Sequence, residues 1–291
     1  MIDDAVKARM ELLRGWLGRR LAPDALAWVD EQTTRIADAP AGLPLARALG
    51  LAPRRVGRAL LQLDGSEMAQ AQAVRPGLDA SDWTLDQAAR ILFALASTAA
   101  GEEQFAARLD AILRSGEIGE QIALFRGLPL YPAPQRLLPL AGEGIRSAMQ
   151  PVYEAVAHRS PYPAENFSEA MWNQMVVKAL FIGSTLAPIQ GLDDRRNADL
   201  ARMLVDYAHE RWAASRDVKP ELWRCVGPFA TSEDDFADLL RVFSSGNDAE
   251  RYAAALALSE CPTPDALVLL ESAPDLWRDI RNAKLTWEKL A

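Results

Sequence analysis

The chain has 291 residues, 49% hydrophobic and 25% charged, and a formal net charge of −8; it can bury a core and is not compositionally disordered. The acidic balance disfavours a general nucleic-acid binder, which needs a basic footprint, and docking on anionic lipid by charge alone. Cys225 and Cys261 stand outside any CxxC pattern, which excludes a disulfide framework and a cysteine-rich zinc site and makes a reducing cytoplasm the expected compartment.

The N-terminus carries acids early and lacks the basic-then-apolar order of a secretory signal. No stretch approaches the ~20 apolar residues that a membrane-spanning helix needs. Strand signals are nearly absent, and helical spacing recurs almost everywhere. A first helix is expected over Asp3 to Arg19, with Val6, Met10, Leu13 and Leu17 on one face. A second starts at Pro23, which suits a first helical turn. Pro40, Gly42 and Pro44 break the chain, and shorter helices follow around Leu45 and over Val56 to Leu63. Helices are then expected over Leu85 to Ala99, Glu102 to Leu113 and Glu117 to Phe125. Pro129, Pro132, Pro134 and Pro139 forbid a continuous helix from Arg126 to Gly144, which makes that stretch a candidate boundary.

Three more helices fit Ile145 to His158, Ser168 to Gly183 and Ala198 to Ser215, with a short turn at Glu221 to Arg224. Beyond them, Asp235 to Ser244 and Ala249 to Glu260 pair across a Gly246-Asn247-Asp248 turn, in the manner of HEAT-type repeats. Two last helices follow, Asp265 to Glu271 and Asp275 to Leu290. The expected fold class is all-α, with a HEAT/ARM-like helical-repeat (α-solenoid) architecture. It is organised as residues 1–144, a motif-bearing region 145–230 and HEAT-like helices 231–291, forming one continuous domain.

Between Tyr153 and Phe229 polar and aromatic residues crowd onto helices that also carry apolar faces. Trp172, Met175, Val176 and Ala179 form one core stripe, and Asn173, Gln174 and Lys178 lie off it. On the next helix Leu200, Met203, Leu204, Tyr207 and Ala208 are the core stripe, and Arg202, Asp206, His209 and Glu210 return to one other side. The plain reading is a solvated ion ladder of Arg202, Asp206 and Glu210 beside a satisfied His209. A sharper reading is a polar pocket on which Asn173, Lys178, Arg202, Asp206 and His209 converge. A metal site built on Glu154/His158 and Asp206/His209 lacks further carboxylates at matched depth, so none is expected. Leu192-Asp193-Asp194-Arg195-Arg196-Asn197 is similar to the acidic Mg²⁺ motifs of helical isoprenoid enzymes. With no second acidic motif it reads better as a turn with favourable charge at a helix start. No Gly-x-Ser-x-Gly, P-loop or Gly-x-Gly-x-x-Gly is present, and Cys225 reads as a small buried side chain.

Longer runs carry a resemblance. Ser160-Pro161-Tyr162-Pro163-Ala164, Trp172 through Gly183, and Gly191-Leu192-Asp193 to Arg196-Asn197 resemble the EboA family. So do Leu200 through Leu204, Asp206 through Ala214, Pro220-Glu221-Leu222-Trp223-Arg224 and Gly227-Pro228-Phe229, and upstream Gln121 through Leu130 and Gly144 through Ser147. The resemblance implies a gene of the bacterial ebo cluster. Its neighbours there look like a UbiA-type prenyltransferase, a sugar-phosphate cyclase, hydrolases and a phosphatase-like protein. It also implies a link to secondary metabolism and, in cyanobacteria, to moving a scytonemin precursor to the periplasm. It carries over no activity and no catalytic residue.

The expected function is a non-catalytic binding or scaffold component of an ebo-type secondary-metabolite biosynthesis or transport pathway. The alternative is an enzyme of isoprenoid or cyclitol metabolism using Asp206, His209 and Glu210 as acid–base or metal-binding groups. A third reading is an adaptor whose exposed aromatics, such as Trp223, meet another ebo protein. Candidate ligand- or partner-binding residues are Asn173, Gln174, Lys178, Arg202, Asp206, His209, Glu210, Trp223 and Arg224. No cofactor, nucleic acid or integral membrane segment is expected. The expected partners are a small-molecule metabolite, with prenylated ones among the candidates, or other ebo-cluster proteins.

Overall fold

The computed structural model describes residues 2–38 and 43–290, so the expected breaks at Pro40 and Gly42 lie outside the described residues. Among the described residues every regular element is helical, and a single antiparallel bridge joins Leu60 to Thr84. The chain forms two compact units, Met1–Phe167 and Ser168–Ala291.

The first unit contains α1 (Asp4–Gly18), α2 (Pro23–Asp38), α3 (Leu43–Val56), α4 (Gly65–Val74) and α5 (Leu85–Ala96). It continues with α6 (Glu102–Ser115), α7 (Ile118–Arg126), α8 (Leu138–Arg146), α9 (Gln150–Ala157) and α10 (Tyr162–Asn166). Helix α5 is its axis: Leu85 and Ala88 through Ala96 are buried, and it packs on α1, α2, α3 and α7. A helix so enclosed must satisfy its own polar groups. Asp86 and Arg90 do so one turn apart at 2.9 Å, and Arg90 also donates to the carbonyls of Leu49 and Gly119.

The sequence expectation of a helix over Val56 to Leu63 is corrected. Gly57 takes a left-handed φ of 79° that ends α3, and the chain then runs extended into the Leu60 bridge. Helix α4 was not expected, because its Ala- and Gln-rich sequence shows no apolar stripe. It is held instead by a capping box between Asp64 and Glu67. Glu67, 1% exposed, also receives Arg19 at 2.7 Å and Arg20 at 2.5 Å. In the proline-rich stretch the chain makes 3₁₀ turns at Leu128–Leu130 and Pro134–Leu137, and α8 starts with Pro139 in its first turn.

The second unit contains α11 (Glu169–Phe181), α12 (Ala198–Ala213), α13 (Glu233–Ser245), α14 (Asp248–Glu260), α15 (Pro264–Glu271), α16 (Pro274–Arg281) and α17 (Trp287–Leu290). Between α12 and α13 run two 3₁₀ turns, Pro220–Cys225 and Gly227–Phe229. Helix α14 is the floor of this unit. It starts from an Asn247/Glu250 capping box and buries Ala253 through Leu258 against α13, α15 and both turns. The second turn can approach so closely because residue 227 is glycine: a Cβ there would lie 2.4 Å from the Ala257 carbonyl oxygen. The continuous helix expected over Asp275 to Leu290 is broken after Arg281, where Ala283 takes a φ of 51°.

Candidate functional site

The segment that crosses from α11 to α12 ties the second unit together. The Asn197 side chain caps α12 by accepting from the Leu200 N–H at 2.9 Å. It also exchanges two hydrogen bonds, of 3.0 and 2.9 Å, with the buried amide of Asn173 on α11. Arg195 lies 4.7 Å above the Trp172 ring. Arg224 forks onto Asp193 at 2.8 and 2.7 Å and reaches Glu288 at 3.1 Å. Arg196 bonds the Arg224 carbonyl at 2.9 Å and Glu260 at 2.8 Å.

The Asp193 carboxyl is thus a counter-ion. The Arg224 fork holds its pKa below the ordinary carboxylate value, against the opposing effect of burial. Asp194 is exposed, and among the described residues no group of three His, Cys, Asp or Glu side chains could hold a metal ion. Cys225 is enclosed, and burial pushes its thiol up to about 12 despite the neighbouring arginines.

A second network joins α12, the 220–225 turn and α13. His209 Nε2 sits 2.6 Å from Asp238 Oδ2, and its ring leans on Trp212 at 5.6 Å. Trp212 stacks on Trp223 at 5.8 Å and 25°, with the Arg241 guanidinium 4.1 Å over the Trp212 ring. Trp223 is 1% exposed, so the aromatic expected at a surface is a core residue.

The nine candidate residues therefore fall into separate surroundings. Asn173 joins Asn197, Arg224 joins Asp193, and His209 and Trp223 share Trp212. Lys178 lies over the ring of Phe181, itself 70% exposed. Arg202 turns back to Asp199 at 2.8 Å rather than forward to Asp206. Gln174, Asp206 and Glu210 face solvent.

Beside the Asp193–Arg224–Glu288 cluster opens a cleft of about 270 Å³. Thr185, Ala187, Pro220 and Leu290 line it, with Trp287, Glu221 and Arg224. Glu221 is the group that sequence reasoning missed, although it stands inside a run that was singled out. Its carboxylate accepts from the Leu186 N–H at 2.8 Å. Burial raises its pKa above the ordinary value, against the pull of that N–H, Lys219 and Arg224. Lys219 is occupied with the carbonyls of Gly183 and Ser184 at 2.7 and 2.8 Å. The cleft thus has a mostly apolar surface, to which Thr185, Lys219, Glu221 and Arg224 also contribute, the usual composition of a small-molecule site.

A family model described as "Metabolite traffic protein EboA" matches residues 9–227. The chain belongs to the EboA family. The match spans all nine candidate residues and the cleft residues from Thr185 to Arg224, and it ends at Gly227; Trp287 and Leu290 lie beyond it. The family name implies a role in metabolite traffic. No curated protein and no solved structure matches the chain. Among the described residues no helix is long and apolar enough to cross a membrane.

Proposed function

We propose that this chain is a non-catalytic binding protein of an ebo-type metabolite pathway, and that it takes a small, largely apolar metabolite into the cleft beside Glu221 and Arg224. The observation that carries the reading is that cleft. Its surface is mostly apolar, a carboxyl of raised pKa lines it, and the Arg224 guanidinium is fixed in place by Asp193 and Glu288. Rigid, pre-paired polar groups orient a ligand without needing to reorganise, which suits binding and release. An apolar wall of this kind fits a prenylated compound as well as an aromatic one. The cytoplasm is the proposed place of action, and another ebo-cluster protein is the proposed receiver of the ligand. The helices from α13 to α16 are proposed to act as helical repeats that support the cleft.

Mass spectrometry of small molecules copurifying with the protein tests this reading. Wild type is expected to carry a compound that Ala187→Trp, which fills the cleft, loses while its circular dichroism is unchanged. A Lys178/Arg202 double substitution on the outer helix faces is expected to keep the compound. The reading is lost if Ala187→Trp retains it, or if no compound accompanies wild type and none from extracts of the pathway's host binds.

A further inference from the structure

The first unit contains a second cleft, independent of the one above, with a volume of about 440 Å³. Arg9, Arg75, Pro129, Tyr131, Pro132 and Tyr162 are among its walls. Its two arginines are anchored on consecutive carbonyls of one 3₁₀ turn. Arg75 Nε donates to Pro129 at 2.8 Å, and Arg9 Nη1 donates to Leu130 at 2.9 Å. Two guanidinium groups are thereby brought side by side, which is unfavourable unless each has an anion.

Arg75 has one: its fork closes on Glu165. Arg9 does not. Among the described residues no carboxylate is within ion-pair distance of it, its Nε is enclosed without a partner, and its one hydrogen bond is the one from Nη1 to Leu130. Burial and the neighbouring charge of Arg75 pull the Arg9 pKa down, against a smaller upward pull from Asp3, which attracts it without pairing with it. A second polar atom on the same wall is also without a partner: the Tyr131 hydroxyl, which fits only because residue 127 is glycine. A partly desolvated cation without its anion costs free energy that an incoming anion recovers.

We infer that this cleft binds a small organic carboxylate, with the acid group on the Arg9 guanidinium and the apolar body against Pro129, Pro132 and the tyrosines. A carboxylate is favoured over a phosphate because Asp3, Glu102 and Glu165 also border the cleft and would repel a dianion. The volume suits a molecule of one or two rings.

Calorimetric titration of the full chain with 2-naphthoate, naphthalene-2-carboxamide and 2-naphthyl phosphate tests this. The carboxylate is expected to bind at micromolar to millimolar concentration, more tightly than the amide or the phosphate. Arg9→Met, which keeps the buried stem, is expected to weaken it at least about tenfold. Glu165→Gln, which releases the Arg75 fork, is expected to tighten it severalfold. Ala187→Trp in the other unit is expected to leave it unchanged, so failure here and failure of the metabolite cleft are separable. Equal binding by Arg9→Met, an amide or phosphate that binds as tightly as the acid, or no carboxylate binding at millimolar concentration overturns the inference. If Arg9→Met does not fold, Glu165→Gln decides: no gain in affinity overturns it.

Discussion

The side-chain amides of Asn173 and Asn197 face each other across two hydrogen bonds of 3.0 and 2.9 Å, and Asn197 caps α12 with the same oxygen that receives Asn173. One amide pair therefore fixes both the distance between α11 and α12 and the start of α12. Asn173→Leu leaves the Asn197 amide without its partner in a mostly enclosed site, and it is expected to destabilise the fold by about 2 kcal/mol. Asn197→Ala removes the cap as well and should cost about 1 kcal/mol more. Urea unfolding of the two single variants and the double variant checks this. The double variant should cost less than the two singles summed, since both remove the same bonds.

Acid sensitivity should concentrate at Glu67. Hydrogen bonds from Arg20, the Asp64/Glu67 cap and Arg19 hold its carboxyl at about 2, well below its ordinary value of 4.5. A lowered folded-state pKa means stability that is present above pH 4.5 and is lost as the pH falls towards 2. Glu67→Gln is expected to cost about 3 kcal/mol near neutrality, because two arginines lose their buried counter-ion. That difference should shrink on acidification, read as melting temperature against pH.

Glu221 should behave in the opposite sense. Its pKa is raised in the folded chain, so its carboxyl is tolerated while protonated and becomes a burden as the pH rises through the folded value. Glu221→Gln keeps an oxygen for the Leu186 N–H and is expected to match or exceed wild-type stability at neutral pH. The gap should close below the ordinary carboxylate pKa, a trend that denaturant midpoints at several pH values would reveal.

Asp193→Ala should report on the cluster beside the cleft. It leaves the Arg224 guanidinium, 11% exposed, with only the single, solvent-exposed contact to Glu288 at 3.1 Å. A loss of about 1–2 kcal/mol is expected, moderated because Asp193 itself is 45% exposed and partly screened. Loss of any copurifying ligand with the fold retained would show that Arg224 must be held in place to bind it.

Helix existence and the apolar faces were legible because one helix repeats its own period. Trp172, Met175, Val176 and Ala179 are fully buried, and so are Leu200, Leu204 and Ala208. Partners from other elements were not legible. Periodicity places Arg202 and Asp206 on one face, but it says nothing of Asp199 competing from the preceding turn. It is also silent on Asp238, which meets His209 from 29 residues away, and on Asp193, which meets Arg224 from 31. Helix α4 was overlooked because its stability comes from a cap and from Arg19 and Arg20, just past the end of α1, rather than from an apolar stripe. The signal was present as Asp64-Gly65-Ser66-Glu67, the spacing of a capping box.

The contact of Gly227 with the backbone of Ala257 sets a limit on trimming the chain. The family match stops at Gly227, yet that residue rests on α14, and Arg196 and Cys261 send bonds in both directions across the same junction. A shortened version cut at the end of the match would lose Pro228 and Phe229 of the second turn, expose the underside of the Pro220–Cys225 turn and strand Arg196 without Glu260. Expression of residues 9–227 alone is expected to give aggregate, while a version extended through α17 should stay in solution. The helices beyond the match are thus part of the surface on which Gly227 and Arg196 rest.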